Sequence, residues 1–214
     1  MVISHSKKFI FIHNYKVAGT SISYALKKYN DRSLLISPIS DKFKLLAGIY
    51  PKVYSDNFHK HVTALELKNS LSADVFNNYY KFGFVRDPWD WQVSLYSFML
   101  KNGHHHQHDF IKSLKNFDEY IDWRVNNEVR LQKRFFYDDE NNLLVNYVGK
   151  FETLIQSAAD LSKAVNIHIA VPHLNKSRTD QKYLQHYTPK TIDMVYEAFY
   201  DDIKTFGYKK PEIK

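Results

Sequence analysis

Short apolar runs alternate with helical patterns along this chain, and this alternation constrains the fold more than any other feature. The runs at 8–12 (KFIFI) and 81–85 (KFGFV) have the length and the aromatic content of buried strands. The first leads through a loop into apolar residues at helical spacing over 22–29, and the second leads into a helix expected over 88–101. Strands that alternate with helices predict an α/β fold with a mostly parallel sheet flanked by helices on both faces.

Two helix starts carry capping signals. Thr63 and Glu66 have capping-box spacing, and Asp87 offers an N-cap carboxylate before Pro88 at the first helical position. The remaining expected elements are strands at 34–36 and 143–148, and helices at 42–47, around Trp123, over 152–165 and from Thr188 to about Phe206. Ligands of parallel sheets bind beyond the carboxyl ends of the strands, so the loops after 8–12 and 81–85 are the candidate site.

Composition narrows the function classes. The chain has 214 residues without a repeat or a linker-like stretch, which predicts one domain over 1–214. It contains no cysteine, so disulfides and thiolate chemistry are excluded, and no run is apolar enough for a membrane span. We expect a soluble, cytoplasmic protein. Lys and Arg exceed Asp and Glu by 30 − 23 = 7, which favours an anionic partner.

The loop at 13–21 (HNYKVAGTS) has the chemistry of a phosphate-binding loop. Gly19 lets backbone approach a ligand, Thr20 and Ser21 bring hydroxyls and amides to a helix N-terminus, and Lys16 supplies a positive charge. Lys16 precedes the only glycine of the loop, so the Walker pattern of ATP-binding loops is not met. The alternative is that this segment caps a helix and that Lys16 is solvated.

The same loop resembles the 5′-phosphosulfate loop of sulfotransferases that use 3′-phosphoadenosine 5′-phosphosulfate (PAPS), especially the carbohydrate-type branch. That branch typically has His-x-Pro-Lys-x-Ala/Gly-Gly-Thr-Ser, and here Tyr15 stands at the proline position. The resemblance implies a P-loop-like fold and a Lys16 that neutralises charge on the leaving phosphate. The residues that it implies for binding the cofactor at this loop are Lys16, Ala18, Gly19, Thr20 and Ser21.

A second segment, 84–96 (FVRDPWDWQVSLY), is similar to the 3′-phosphate segment of the same family. An arginine at the carboxyl end of a strand presents a fork that binds phosphate through two hydrogen bonds. The resemblance therefore implies that Arg86 and Ser94 bind the 3′-phosphate. Trp91 replaces an arginine often found in the family. The alternative is that Arg86 pairs with a carboxylate and that Ser94 only packs.

Shorter matches extend to the end of the chain. Segments 148–152 (VGKFE), 172–177 (PHLNKS) and 202–208 (DIKTFGY) resemble family motifs in their order and spacing. In the family, the loop after the late helix closes over the nucleotide. The resemblance therefore implies that Lys176 and Arg178 are cations of such a lid.

His61 resembles the histidine that some carbohydrate-type sulfotransferases place upstream of the Arg-Asp-Pro strand as catalytic base. A histidine of near-neutral pKa can accept the proton of an attacking alcohol. The alternative bases are His59, and Glu66 or another carboxylate. A further alternative is that His59 and His61 are a plain pair of surface histidines. The run at 104–108 (HHHQH) is interpreted as a solvated loop, because adjacent histidines diverge, and we expect no metal site there.

These observations converge on a PAPS-dependent sulfotransferase that transfers a sulfuryl group to a hydroxyl or amine. The expected acceptor is a carbohydrate, including an anionic one, and the nucleotide product is 3′-phosphoadenosine 5′-phosphate (PAP). We expect no metal, no nucleic acid and no membrane span. The alternatives are a nucleotide or small-molecule kinase, and a noncatalytic protein that binds polyanions or nucleic acid.

Overall fold

The computed structural model describes residues 1–31, 54–169 and 182–213. The elements expected at 34–36 and 42–47 lie outside the described residues. So do the 172–177 segment and Arg178, and the role of Lys176 and Arg178 as lid cations stays a prediction. The described residues group into two compact units. The first contains residues 1–31, 54–85 and 134–169, and the second contains residues 86–133 and 182–213. One domain over 1–214 stays a prediction.

A four-stranded sheet forms the centre of the first unit. Its strands are β1 (Val2–Ser4), β2 (Phe9–Ile12), β3 (Tyr80–Val85) and β4 (Tyr147–Lys150), in the order β1-β2-β3-β4. Strand β1 is antiparallel to β2, whereas β2, β3 and β4 are parallel. The carboxyl ends of the three parallel strands therefore lie at one edge of the sheet. The prediction of an α/β fold with a mostly parallel sheet flanked by helices is confirmed, and it is consistent with a P-loop-like fold.

The α-helices of the described residues are α1 (Gly19–Ala25), α2 (Ala64–Ser70), α3 (Ala73–Asn78), α4 (Pro88–Lys101), α5 (His108–Ser113), α6 (Phe117–Asn127), α7 (Leu154–Ala164), α8 (Pro189–Ala198) and α9 (Tyr200–Phe206). Helix α2 has the capping box that its sequence predicts, because the Thr63 hydroxyl accepts from the Glu66 amide and the Glu66 carboxylate accepts from the Thr63 amide. Helix α4 has the predicted bounds, and Asp87 accepts from the amides of Trp89 and Asp90.

The core of the first unit forms because β2 and β3 are buried on both faces. Successive side chains of a strand point to opposite faces, and every residue of β2 is buried. Phe11 and Phe82 belong to one buried cluster with Ile22 of α1 and Leu161 of α7. Each fully buried side chain of this size contributes about 1.5–3 kcal/mol. The aromatic strands thus hold α1 against the sheet. They also hold the loop that precedes α1 at the carboxyl ends of the strands.

Gly83 is the one glycine in strand β3, and the close packing of a phenylalanine ring explains it. A Cβ atom at this position would lie 2.2 Å from the ring of Phe136, which packs against β3. A glycine inside a strand often marks such a close approach.

Three predicted elements differ in their bounds. Strand β4 begins at Tyr147 instead of 143, because Leu143 forms an isolated bridge with Tyr137 and the Asn146 amide donates to the Lys81 carbonyl. The helix expected at 152–165 begins as a 3-10 turn, Phe151–Thr153, before α7. The last helix is divided into α8 and α9 at Phe199, which is fully buried.

The second unit contains α4, α5, α6, α8 and α9. Trp89 joins two of them, since its indole N–H donates to the Ile192 carbonyl at 3.2 Å and its own carbonyl accepts from the Tyr187 hydroxyl at 2.8 Å. Trp91 is buried and lies edge-on to Phe199. The tryptophan that replaces the arginine of the family pattern is therefore a core residue of this unit.

Candidate active site

The loop between β2 and α1 adopts an unusual backbone conformation. Lys16 and Ala18 have left-handed φ angles of 55° and 60°, and the helix begins directly after them at Gly19. The first amides of a helix have no partner within the helix, and left-handed residues in a turn are typical of backbone loops that bind anions. This backbone is compatible with the predicted phosphate-binding loop, and its role in binding phosphate stays a prediction.

Asn14 fixes this loop to the sheet. Its side chain is fully buried, its amide donates to the Phe84 carbonyl at 3.2 Å, and its carbonyl accepts from the Tyr15 amide at 2.6 Å. The loop is thereby tied to the carboxyl end of β3, the neighbouring parallel strand.

The imidazole of His13 explains why the helix begins with glycine. A Cβ atom at Gly19 would lie 2.0 Å from the His13 ring, which is buried. Burial lowers the pKa of His13 to about 2, so this ring is neutral at physiological pH. The sequence predicts that Gly19 lets a ligand approach the backbone, and the packing of the His13 ring is a second reason for glycine at this position.

Of the five predicted ligand residues of the loop, Gly19 is buried beside His13, and the other four reach the surface. Lys16, Ala18 and Ser21 are half-buried, and Thr20 is exposed. Lys16 sits in the middle of the turn with its left-handed backbone, and Thr20 and Ser21 lie in the first turn of α1. Their placement leaves the predicted contacts with a 5′-phosphate sterically accessible.

His61 lies against the same loop. Its Nδ1 donates to the His13 carbonyl at 2.8 Å, because a carbonyl oxygen can only accept. The ring stacks on Tyr15 with 3.9 Å between centroids, and it meets His13 edge-on at 4.8 Å. With the proton fixed on Nδ1, the neutral ring presents the lone pair of Nε2. Burial lowers the pKa of His61, and the hydrogen bond to His13 opposes this only in part.

The other two candidate bases have different surroundings. The His59 side chain is 63% exposed, and its Nε2 lies 3.4 Å from a Glu66 oxygen. Glu66 accepts two hydrogen bonds from Thr63, which lower the pKa of the Glu66 carboxyl together with His59. Among these three candidates, the described contacts join only His61 to the loop.

In the second unit, Arg86 follows the last residue of β3 in the chain. Its guanidinium binds Asp90 at 2.7 Å through both Nε and Nη2, and both side chains are buried. The pairing with a carboxylate that the sequence left as an alternative is therefore present. Ser94 lies on α4, eight residues after Arg86, and is half-buried.

Gln132 is the residue that the sequence analysis missed. Its Oε1 accepts from the Arg86 amide at 3.0 Å, and its Nε2 donates to the Arg86 carbonyl at 2.8 Å. Gln132 is fully buried and stands 46 residues from Arg86. No motif surrounds it, so the sequence holds no signal for this contact.

The histidine run begins a short turn before α5. His105 stacks on His106 with 4.4 Å between centroids, and His108 donates from Nδ1 to the Met99 carbonyl. Over 1–31, 54–169 and 182–213, no three His, Asp or Glu side chains are grouped as metal ligands. Within the same ranges, no helix has both the length and the apolar character to cross a membrane. The cytoplasmic location stays a prediction.

The model of the Sulfotransferase family matches residues 1–209. The chain therefore belongs to the sulfotransferase family, whose members transfer sulfuryl groups. No curated protein matches the chain. Membership of the carbohydrate-type branch stays a prediction.

Proposed function

We propose that this protein transfers a sulfuryl group from PAPS to a hydroxyl or amine of a carbohydrate acceptor, in the cytoplasm and without a metal. The observation that carries the proposal is the hydrogen bond from Nδ1 of His61 to the carbonyl of His13. It holds a neutral imidazole, with Nε2 as acceptor, against the loop that resembles the phosphosulfate loop of the family.

The reaction is an in-line displacement at sulfur. The acceptor oxygen or nitrogen forms a bond to sulfur, and the bond between sulfur and the bridging oxygen of the 5′-phosphate breaks. Nε2 of His61 takes the proton of the acceptor and later releases it to solvent. Lys16 neutralises the charge that builds on the leaving oxygen, which makes its contact stronger in the transition state than in the ground state.

The remaining residues bind the donor. Thr20 and Ser21, with the first amides of α1, hold the 5′-phosphate, since a helix N-terminus favours anions. Arg86 and Ser94 hold the 3′-phosphate. The guanidinium of Arg86 carries five N–H donors, so a phosphate and Asp90 can share it.

The donor is tested by thermal unfolding with PAP, ATP and a mixed-sequence oligonucleotide. A ligand at 100 times its dissociation constant stabilises the folded protein by about 2.7 kcal/mol, so PAP is expected to raise Tm by several degrees. A larger rise with ATP would favour a kinase, and a larger rise with the oligonucleotide would favour the nucleic-acid-binding alternative.

The acceptor is tested by transfer of radiolabelled sulfate from PAPS to a panel of saccharides. The formal net charge of +7 favours an anionic acceptor, so a sulfated saccharide is expected to be a better acceptor than its neutral parent. Label that passes to a phenol or a peptide but to no saccharide would contradict the carbohydrate assignment.

A further inference from the structure

The side chain of Gln132 binds the backbone of Arg86 through two hydrogen bonds. The amide group of Gln132 donates to the carbonyl of Arg86 and accepts from its N–H, at 2.8 and 3.0 Å. A neighbouring strand would satisfy a residue in the same way, with one donor and one acceptor. Gln132 therefore supplies the donor and the acceptor that sheet pairing would supply to the first residue after β3.

Gln132 is fixed in turn by the last helix. The carboxylate of Asp202 on α9 accepts from the Gln132 amide at 2.7 Å and from the Lys133 amide at 2.9 Å. Asp202 and Gln132 are both fully buried. A buried chain of hydrogen bonds thus leads from Asp202 through Gln132 to Arg86.

The side chain of Arg86 is held separately. Two of its nitrogens bind the same oxygen of Asp90, one turn further along α4. Backbone and guanidinium therefore have different partners, and loss of the Gln132 amide group removes these two backbone hydrogen bonds while the Asp90 pair remains.

We propose that Gln132 is a positioning residue that gives the site its selectivity for a 3′-phosphate, and that Asp202 holds Gln132 in place. The inference rests on the proposed function, in which Arg86 binds that phosphate. A guanidinium binds phosphate well only within a narrow range of distance and angle, so a small displacement of Arg86 weakens the contact. AMP has no 3′-phosphate, and its affinity does not depend on where Arg86 lies.

The test compares the affinities of PAP and AMP by isothermal titration calorimetry at pH 7.5. The variants are Gln132→Met, which keeps the volume and removes both hydrogen bonds, Asp202→Asn, and Arg86→Ala. The matched control is Asp201→Asn. Asp201 is next to Asp202, but its side chain is 62% exposed, and its ion pair with Lys133 is long, at 3.8 Å. Circular dichroism and Tm establish which variants are folded.

Gln132→Met is expected to reduce the ratio of PAP to AMP affinity about tenfold or more, toward the ratio of Arg86→Ala, because the displaced guanidinium of Arg86 loses its charged hydrogen bond to the 3′-phosphate. Asp202→Asn shifts the ratio in the same direction, and Asp201→Asn leaves it unchanged. If Gln132→Met does not fold, Gln132→Glu replaces it, since it retains the acceptor for the Arg86 amide, and an intermediate ratio is expected.

Three results would overturn the inference, and they separate it from the proposed function. An unchanged ratio in folded Gln132 variants, with a lost ratio in Arg86→Ala, contradicts the positioning role and leaves the function intact. An equal loss for both nucleotides shows a merely structural role. A parent protein that does not prefer PAP to AMP overturns the inference together with the assignment of Arg86.

Discussion

Replacement of His61 tests the proposed base most directly. The hydrogen bond to the His13 carbonyl gives the ring a fixed tautomer, which leaves the lone pair on Nε2, the proposed proton acceptor. His61→Ala removes that acceptor and leaves the loop sequence intact. General base catalysis contributes typically 10²–10⁴-fold, so kcat/KM is expected to fall by about 100-fold or more.

The pH dependence adds a second, independent signature. The base works only when neutral, so kcat/KM falls as the pH drops through the pKa of His61. Burial lowers the pKa of His61 below its ordinary value of 6.5, and the acid limb is therefore expected below pH 6.5. In His61→Ala, this limb disappears.

The assay is initial-rate transfer of labelled sulfate from PAPS over pH 5 to 9, with the best acceptor of the panel. His59→Ala is the matched control, because His59 is two residues away and exposed to solvent. The control is expected to keep both the rate and the limb. A His61→Ala enzyme with most of its activity and the same limb would refute the role of His61, and Glu66 would be tested next.

Two further predictions concern the loop itself. Lys16→Ala is expected to lower kcat strongly with a smaller change in the KM for PAPS, since the contact strengthens as charge moves to the leaving oxygen; a change in KM alone would make Lys16 a binding residue. Gly19→Ala is expected to lower the free energy of unfolding by about 1–3 kcal/mol in urea denaturation, because its Cβ would overlap the buried ring of His13. The control Gly103→Ala, where a Cβ would meet nothing within 4 Å, should change stability little, and equal effects of the two would contradict the packing argument.

Local chemistry made some elements predictable from the sequence. Asp87 and Pro88 satisfy the start of α4 without help from distant residues, and the predicted bounds of α4 are confirmed. Thr63 and Glu66 do the same for α2. Capping groups act within one turn, so a short window of sequence contains the whole signal.

Elements that depend on distant pairing were not predictable in the same way. Strand β1 has three residues and exists because Val2 pairs with Phe11 in register. The start of β4 depends on Lys81, whose carbonyl accepts from the Asn146 amide 65 residues away. Apolar character alone placed this strand four residues too early, because Leu143 is apolar but bridges to Tyr137 instead.

The candidate site also contains residues that local sequence predicts and residues that only distant contacts reveal. Lys16, Gly19 and their neighbours form a continuous segment whose chemistry is visible in the sequence. The role of Gln132 depends on the contact of its side-chain amide with the Arg86 backbone, 46 residues away. Its own partner Asp202 is a further 70 residues along the chain. The sequence carried Asp202 as part of a terminal motif, but only the structure gives it a contact that leads to Arg86.

Tyr15 shows how a departure from the family pattern fits this loop. Proline would restrict the backbone here, whereas Tyr15 provides a ring that stacks on His61 and an amide that donates to Asn14. Two left-handed residues cost about 1–2 kcal/mol each. The hydrogen bonds of Asn14 and His61 contribute about 0.5–1.5 kcal/mol each, and an aromatic pair contributes a similar amount. The contacts are therefore large enough to offset the strained backbone. The same contacts orient His61, the proposed base, so the conformation of the loop and the orientation of His61 are stabilised together.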